Sequence, residues 1–337
     1  MPRIALDAMG GDLAPAAPAA GALLALAELP ADTTIQLVGR EDVIRAELAK
    51  AGGVPAGAES RIEIVHASEV IEMTDKPSVA VRGKKDSSMV VGLRLQAEGK
   101  SDAFVSAGNT GAQMAASAVQ LRLHEGLTRP AIGTLLPTGR GIPLVMLDAG
   151  ANVDCSPQEL LQFGRLGAVY AEDILGRANP TIGLLSVGEE PEKGTLAVKE
   201  AHILLANSGL NFIGNVEGRD LPSGECMHGP LDVVVTDGFT GNVVLKFLEG
   251  FAPVLVKLIV KGGVPMTSLA PVLDRFDYAQ YGGAPLLGVR GVSIICHGKS
   301  SPLAIKNALK LARLAIDHDM TAHIGRSLRA TPTGNGQ

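Results

Sequence analysis

The feature that most constrains the fold is a short apolar segment followed by a polar loop that contains glycine, and it occurs seven times. The apolar segments are Ile4–Leu6, Ala103–Val105, Leu144–Leu147, Ile182–Leu185, Asn211–Ile213, Val233–Val235 and Val292–Ile295. Runs of this kind between turn residues are typical of buried β-strands. In a parallel sheet, the loops that follow the strands share one edge, where ligands bind. The sequence therefore predicts an α/β fold built on parallel strands, with a polar active-site edge.

The segment Leu231–Gly250 shows this unit most clearly. Its apolar run Val233–Val235 stops at a Thr-Asp-Gly turn, and a second apolar run follows. We expect a strand, a tight turn and a helix that begins near Asn242. The free N–H groups and aligned peptide dipoles at a helix N-terminus favour an anion. The polar candidates on this rim are Asp237, Thr240 and Asn242.

The length of 337 residues suffices for one large or two medium-sized domains. No low-complexity linker interrupts the chain. We therefore expect a single α/β unit, residues 1–326, made of two intimately joined lobes at about 1–150 and 151–326. The final residues, 327–337, end in TPTGNGQ, and we expect them to be a disordered tail.

Composition excludes several classes of function. A net charge of −5, only 3% aromatic residues and no Trp argue against a nucleic-acid partner. Three cysteines without paired spacing argue against a disulfide framework or a zinc site, and they fit a reducing cytoplasm. No stretch approaches the roughly 20 apolar residues of a membrane span.

The loops also lack the standard nucleotide signatures. No strand is followed by G-x-G-x-x-G, and HGKS at 297–300 fails as a P-loop because Ser293 stands where glycine is required. Four carboxylates lie at strand ends: Asp7, Asp12, Asp148 and Asp237. They could bind Mg²⁺, but we favour the capping of glycine turns. We expect no cofactor and no metal.

Two loops carry candidate catalytic groups. The loop SVGEEPEKGT, at 186–195, places Lys193 beside Glu189 and ahead of a helix. Lys193 either binds an anion or polarises a carbonyl, or the loop is a solvated charged turn. In FVSAGNTGAQ, at 104–113, Asn109 and Thr110 begin a helix. That N-terminus either binds phosphate through backbone donors and the Thr hydroxyl, or is an ordinary N-cap.

Three further features have more than one interpretation. His297 is an acid–base group at the shared edge or a structural histidine. The basic cluster Arg82, Lys84 and Lys85 steers an acidic partner or keeps a loop soluble. The apolar segment Phe251–Val260 is a dimer helix, a wall for an acyl chain or a membrane-touching element, and burial between helices is the simpler expectation.

Taken together, the loops resemble the phosphate acyltransferase (PlsX) family of bacterial phospholipid synthesis. The matching segments, in the family's order from Ile4 to Leu314, are IALDAMGGD (Ile4–Asp12), KPSVAVRGKKDSSM (Lys76–Met89), SAGNTGA (Ser106–Ala112), LDAGAN (Leu147–Asn152), GLLSVGEEPEKG (Gly183–Gly194), NVEGRD (Asn215–Asp220), VVTDGFTGNVVLK (Val234–Lys246), and YGGAPLLGV with the following HGKSS (Tyr281–Ser301). The match is specific because it extends over nearly the whole chain.

The resemblance implies a large, open, mostly parallel sheet with helices on both faces, like isocitrate and isopropylmalate dehydrogenases and related to phosphate acetyltransferases. It implies transfer of a fatty acyl group from acyl carrier protein to inorganic phosphate. It also implies a homodimer in the cytoplasm with peripheral membrane contact, where a membrane glycerol-3-phosphate acyltransferase consumes the product. The competing classes are another acyltransferase or a decarboxylating dehydrogenase on the same sheet, and a non-catalytic carrier or membrane scaffold.

We assign site residues on this basis. The catalytic candidates are Lys193, which stabilises the oxyanion or neutralises phosphate, His297, a candidate proton donor, and Asn109. The substrate-binding candidates are Asp7, Gly10, Gly11, Thr110, Gly111, Asp148, Asn152, Glu189, Asn215, Glu217, Asp237, Thr240, Asn242 and Ser300. Arg82, Lys84 and Lys85 are expected to dock the acidic carrier protein.

Overall fold

The structure, a computed structural model, describes residues 1–269 and 278–329. Its strands are β1 (Arg3–Asp7), β2 (Thr34–Gly39), β3 (Ile62–His66), β4 (Ala103–Ser106), β5 (Ala131–Ile132), β6 (Thr134–Leu136), β7 (Leu144–Leu147), β8 (Ile182–Leu185), β9 (Phe212–Val216), β10 (Glu225–Cys226), β11 (Gly229–Pro230), β12 (Val233–Val235), β13 (Ala284–Leu287) and β14 (Val292–Ile295). Six of the seven apolar segments predicted as strands lie within observed strands, and the seventh, Asn211–Ile213, enters β9 at Phe212.

Helices alternate with these strands, as an α/β fold requires. They are α1 (Ala16–Leu26), α2 (Glu41–Lys50), α3 (Pro77–Gly83), α4 (Ser88–Ala97), α5 (Thr110–Gln120), α6 (Pro157–Leu175), α7 (Leu196–Ala206), α8 (Asp220–Ser223), α9 (Gly238–Lys261), α10 (Tyr278–Tyr281), α11 (Pro302–Asp317) and α12 (Met320–Arg329). None of the helices in the described ranges is long and apolar enough to cross a membrane.

The described chain divides into two compact units. The first contains residues 1–124 and 278–322, and the second contains residues 125–269 and 323–329. Each unit is therefore assembled from two separate stretches of sequence, so residues 125–150 belong with the second unit and residues 278–322 return to the first. The intimate joining of two lobes stays a prediction.

The sheet of the first unit contains strands in the order β3-β2-β1-β4-β14-β13. All neighbouring pairs are parallel except β13 and β14. The central strand β1 is buried from Ile4 to Asp7, which suits its run of apolar residues. Because β1, β4 and β14 run in the same direction, the loops that follow them lie at the same edge.

The second unit has its own sheet, ordered β6-β7-β12-β8-β9. Strands β7, β12, β8 and β9 run parallel to one another, and the edge strand β6 pairs antiparallel with β7. Every residue of Leu144–Leu147 and Val233–Val235 is 0% exposed. The four loops after the parallel strands therefore also share an edge within this unit. The fold class predicted from the sequence is confirmed.

Local capping explains where the helices begin. Ser156 and Glu159 form a reciprocal capping box at α6, with Pro157 at its first turn. Helix α9 starts at Gly238, four residues before the predicted start near Asn242. The prediction was wrong because Asp237 is the N-cap and accepts a hydrogen bond from the Thr240 backbone N–H at 2.8 Å.

Strand β9 also differs from its prediction. The sequence predicted a loop from Gly214, yet the strand extends through Val216 and includes Asn215. Gly214 has a φ of 99°, and the pairing register with β8 shifts between Ile182 and Gly183. A glycine bulge of this kind lets a strand continue past an irregular residue.

The C-terminal end is helical further than expected. The predicted tail began at residue 327, but α12 continues to Arg329. The rest of the predicted tail, residues 330–337, lies outside the described residues.

Candidate active site

In the first unit, the loops after β1 and β4 are joined through a buried carboxylate. Asp7 is 2% exposed and accepts hydrogen bonds from the Met9 backbone N–H at 3.1 Å and from the Ser106 hydroxyl at 2.7 Å. Ser106 in turn accepts from the Gly108 N–H at 3.0 Å. Burial raises the pKa of the Asp7 carboxyl, and hydrogen bonds from Ser88, Ser106 and the backbone oppose that rise. Asp7 therefore shapes the loops from within.

The loop after β14 meets the same two loops. The Asp12 N–H donates to the carbonyl of Gly298 at 2.7 Å. A Cβ on Gly10 would lie 2.9 Å from the Gly108 nitrogen, and one on Gly11 would lie 3.0 Å from the Gly298 oxygen. Such approaches admit only glycine. The turns after β1, β4 and β14 thus converge, as the sequence predicted for this edge.

Asn109 is engaged on both sides of its amide. Its oxygen accepts from the Ala112 N–H at 3.0 Å and so caps α5. Its nitrogen lies within 3.3 Å of the carbonyls of Glu72, Met73 and Asp75. These contacts fix the 72–75 loop over the N-terminus of α5 and show a positioning role. A catalytic role for Asn109 stays a prediction.

The other candidates in these turns differ in how exposed they are to solvent. Thr110 is exposed at the first residue of α5, and a Cβ on Gly111 would lie 2.7 Å from Pro77. His297 is exposed, and its Nδ1 accepts from the Lys299 N–H at 3.1 Å. A neutral His297 ring therefore carries its hydrogen on Nε2. Ser300 is 3% exposed, so its hydroxyl is far less accessible than predicted.

The basic cluster is divided by the structure. The Lys84 ammonium donates to Asp75 at 2.6 Å and to the Val70 carbonyl at 2.8 Å. Lys84 is thus already paired with Asp75, which precedes it by nine residues in the sequence. Arg82 and Lys85 are exposed at the end of α3. They are the members of the cluster that present charge to solvent.

In the second unit, Asp148 organises the loop after β7. It is 0% exposed and accepts hydrogen bonds from the backbone N–H groups of Ile132, Gly150, Ala151 and Asn152, and from the Asn152 side chain. Burial raises the pKa of Asp148, and these donors oppose the rise. Asp148 and Asn152 therefore look inward to the loop, and direct substrate binding by them stays a prediction.

The N-terminus of α9 packs directly on this loop. The Gly238 N–H donates to the Asn152 carbonyl at 2.8 Å, and a Cβ on Gly241 would lie 2.0 Å from the Asp148 carbonyl oxygen. Asn242 is exposed and donates to the Ala149 carbonyl at 3.2 Å. The glycines in the predicted polar turn serve this close approach. Asp237 and Thr240 bond to each other, through both the backbone and the hydroxyl.

The loop after β8 carries an exposed lysine, Lys193. Its backbone N–H closes a turn by donating to the Glu190 carbonyl at 3.0 Å. A Cβ on Gly188 would lie 2.9 Å from Cγ of Lys193, so the stem of the lysine lies over Gly188. Within residues 1–269 and 278–329, the ammonium has no carboxylate partner. The side chain is held at its base and open at its tip.

The acidic neighbours of this loop are held by an arginine. Arg219 donates to Glu189 at 3.2 Å and lies 2.8 Å from Glu217. The hydrogen bond that Arg219 donates to Glu189 and the negative charge of Glu217 raise the pKa of the Arg219 guanidinium. Glu189 and Glu217, two of the carboxylates predicted to bind substrate, are therefore engaged with Arg219. The sequence analysis did not single out Arg219.

Asn215 supports the lysine loop from below. It is 1% exposed, donates to the Glu190 carbonyl at 2.8 Å and pairs with Nδ1 of His202 at 3.0 Å. His202 packs edge-on against Phe212, with ring centroids 5.1 Å apart. The sequence analysis missed His202 because it lies inside α7, where its only signal is a lone polar ring in an apolar helix.

Helix α9 exposes a broad apolar face beyond its first turn. Its exposed large side chains are Phe239, Val243, Phe247, Phe251, Val254, Leu255, Leu258 and Val260. Phe247 and Phe251 stack with centroids 5.4 Å apart. The simpler expectation, burial between helices, is not met within the described chain. Only Gly238 and Gly241 of this helix are buried.

Cys296 in the first unit and Cys155 in the second are poor nucleophiles. Burial raises the pKa of Cys296 to about 12 and that of Cys155 to about 12. A thiol needs to ionise in order to attack a carbonyl. Acyl transfer through a cysteine thioester is therefore disfavoured at neutral pH at both positions.

Comparison with known proteins gives the class. The sequence model of the family described as "Fatty acid synthesis protein" matches residues 2–323, and the chain belongs to this family. A phosphate acyltransferase of Heliobacterium modesticaldum is 51% identical over 334 residues, covering 96% of each chain. One of Pelotomaculum thermopropionicum is 48% identical over 341 residues, covering 97% of this chain and 95% of the relative. The chain is thus an acyl-transferring enzyme. Among such enzymes, it is a member of the phosphate acyltransferases.

Solved structures agree on the fold. A phosphotransacetylase, EutD, from Staphylococcus aureus superposes with a TM-score of 0.61 at 16% identity, covering 94% of each chain. A branched-chain phosphotransacylase from Enterococcus faecalis gives 0.60 at 15% identity, covering 94% of this chain and 99% of that one. At these identities the likeness concerns the fold.

Proposed function

We propose that the enzyme moves a fatty acyl group from the thioester of acyl carrier protein to inorganic phosphate, for phospholipid synthesis. A phosphate oxygen attacks the thioester carbonyl, the C–S bond breaks, and the products are acyl phosphate and the carrier thiolate. Phosphate is a competent nucleophile near neutral pH, and a thiol with a pKa of about 8.5 leaves with little protonation. The reaction therefore needs no serine or cysteine nucleophile.

The observation that carries the proposal is the state of Lys193. Its stem is fixed over Gly188, its ammonium has no carboxylate partner among the described residues, and Arg219 engages Glu189 and Glu217. An exposed cation on a fixed turn suits a developing oxyanion or a phosphate dianion. Among the described residues, Lys193 has no ion pair that must break before it binds an anion.

The phosphate site is proposed at the converging turns of the first unit. The N-terminus of α5 offers backbone donors and the exposed Thr110 hydroxyl, and the 297–301 turn leads into α11. Helix N-termini favour anions. The Nε2–H of a neutral His297 can donate to a phosphate oxygen. Holding phosphate against a thioester supplies much of the rate, because an oriented reactant pair avoids the entropy of encounter.

The proposed carrier partner is acidic, and the exposed pair Arg82 and Lys85 offers complementary charge. The partners also include a second copy of the chain and the membrane surface where glycerol-3-phosphate acyltransferase consumes the product. The apolar face of α9 supports these two proposals, since a face of this kind is unusual on a monomer in water. Sedimentation tests the homodimer, and flotation with anionic vesicles tests the membrane contact. Whether the segment Phe251–Leu273 faces the membrane, the acyl chain or the dimer partner was left open by the sequence, and its last residues, 270–273, lie outside the described residues.

The direct test supplies purified enzyme with an acyl carrier thioester, with and without phosphate. We expect free thiol and an equal amount of acyl phosphate, trapped as hydroxamate with hydroxylamine, only when phosphate is present. Carrier binding without product would favour a scaffold. An absorbance change with nicotinamide cofactor and a hydroxy acid would favour a dehydrogenase. Either result would overturn the proposal.

A further inference from the structure

A hydrogen-bonded chain connects the interior of α7 to the turn that carries Lys193. Asn215 donates from Nδ2 to the Glu190 carbonyl at 2.8 Å, and its Oδ1 lies 3.0 Å from Nδ1 of His202. The Glu190 carbonyl also accepts the Lys193 N–H at 3.0 Å. The Glu190 carbonyl oxygen thus accepts two hydrogen bonds, one from the Asn215 side chain and one from the Lys193 backbone N–H.

Chemistry fixes the direction of each bond. A backbone carbonyl can only accept, so the amide nitrogen of Asn215 faces Glu190 and the amide oxygen faces His202. His202 must therefore donate from Nδ1. The edge-on packing of its ring on Phe212, at an interplanar angle of 77°, holds the imidazole in the plane that this bond requires. Every hydrogen bond in this series therefore points the same way: His202 donates to Asn215, and Asn215 donates to the Glu190 carbonyl of the turn.

The surroundings make this support specific to Lys193. Asn215 is 1% exposed, so its two bonds form away from water. At the other side of the turn, Gly188 admits the lysine stem, because any Cβ there would meet Cγ of Lys193 at 2.9 Å. The ammonium is left exposed, while the backbone that carries it is held from below.

We infer that His202 and Asn215 are positioning residues that hold Lys193 in its reactive place. The inference rests on the proposed function, since it gives Lys193 its role there. Asn215 was assigned to substrate binding from the sequence, and its two bonds instead assign it to the support of the turn. Neither residue touches the reacting atoms.

The test compares two variants of one residue. His202→Leu removes the donor at similar size, and His202→Asn keeps an N–H near the position of Nδ1. Because misplacing a catalytic group by a fraction of an ångström is costly, we expect His202→Leu to lower kcat for phosphate-dependent turnover about tenfold. We expect His202→Asn to retain most of the activity. The KM for the carrier thioester stays within about twofold in both variants, because the carrier-docking charges lie elsewhere.

A double-mutant cycle separates positioning from general loss of stability. With Lys193→Ala in place, His202→Leu should lower the residual rate by less than about twofold, because the two residues act through one group. An equal factor with and without Lys193 would overturn the inference. So would full activity of a folded His202→Leu enzyme. Asn215→Asp, which keeps the bond to His202 and loses the bond to Glu190, should repeat the tenfold loss and serves if the leucine variant does not fold.

Hydrogen exchange gives a readout that does not depend on turnover. We expect the amide of Lys193 to exchange about tenfold faster in His202→Leu than in the wild type, and to be protected in His202→Asn. Unchanged exchange in the leucine variant would refute the support of the turn. Should the wild type form no acyl phosphate, the proposed function fails, while the exchange result still decides whether His202 holds the Lys193 turn.

Discussion

The loop at Asn109 in the first unit and the loop at Lys193 in the second are ordered in opposite ways. Asn109 is 7% exposed, and both ends of its amide bond to backbone groups. Lys193 is exposed at its tip and has no carboxylate partner among the described residues, while the backbone beneath it is held by Asn215. A side chain with satisfied bonds fixes the shape of its loop, whereas an exposed charge is available to a ligand. The comparison separates a residue that shapes its loop from a residue that presents a charge to solvent.

The sharpest prediction from this comparison is that Lys193 affects rate without affecting stability. Removing one preorganised oxyanion donor typically costs about 10²- to 10³-fold in kcat, so we expect Lys193→Ala to lose turnover by that factor. Its unfolding midpoint should match the wild type. The matched control is Lys199→Ala, an exposed lysine on α7, which should leave both quantities unchanged. Normal phosphate-dependent turnover in Lys193→Ala would remove the assignment.

The next prediction concerns the glycine contact beneath the loop of the second unit. A Cβ at Gly241 would lie 2.0 Å from the Asp148 carbonyl, which is backbone and cannot turn aside. We expect Gly241→Ala to lower the free energy of unfolding by about 3 kcal/mol or more. The same helix offers a control, because a Cβ at Gly250 meets nothing within 4 Å. Gly250→Ala should stabilise by about 0.5–1 kcal/mol, as measured by denaturant unfolding.

The other side of the comparison predicts that Asn109 affects stability first. Asn109→Ala removes the N-cap of α5 and the bonds to the 72–75 loop, so we expect a loss of about 2–3 kcal/mol in unfolding free energy. Asn109→Asp keeps the cap and loses the donor, and should fall between alanine and wild type. A wild-type unfolding curve for Asn109→Ala, together with a collapsed kcat, would reverse the contrast with Lys193.

A smaller effect is expected at the basic cluster. Arg82→Glu with Lys85→Glu reverses two exposed charges, and we expect the Kd for acyl carrier protein to rise about tenfold at low salt, with the effect shrinking as salt increases. Arg40→Glu, which reverses one exposed charge ahead of α2, is a charge-reversal control outside the cluster. Lys84→Glu should instead destabilise the fold, since Lys84 pairs with Asp75. Unchanged carrier affinity in the double reversal would rule out docking at this surface.

The smallest effect concerns the ion pairs that join Glu28, just after α1, to α11 in the first unit. Hydrogen bonds from Lys306 and Lys310 lower the pKa of Glu28 from its ordinary 4.5 to about 2. Because the folded value lies below the unfolded value, this stabilisation is present above pH 4.5 and is lost as pH falls toward 2. We expect Glu28→Gln to flatten the pH dependence of unfolding in that window and to match the wild type nearer pH 2. An unaltered pH profile would show that these exposed pairs contribute nothing.

The sequence determined the features that depend on a few neighbouring residues. Seven apolar runs became strands, the Ser156 cap began α6, and the glycine turns after β1, β4 and β14 met at one edge. Strand burial, capping and tight turns are set by local pattern and backbone geometry, so the chain itself specifies them.

Only the tertiary structure decided which polar groups pair. Ser106 donates a hydrogen bond to Asp7, which is 99 residues away in the sequence, and Lys84 forms an ion pair with Asp75. His202 and Asn215 come together because α7 leads back to β9 beside β8. Such pairings depend on strand order and on the few ångströms that separate donor from acceptor. For this reason the sequence could indicate candidate loops, while the fold decided which of their side chains are paired within the described part of the chain.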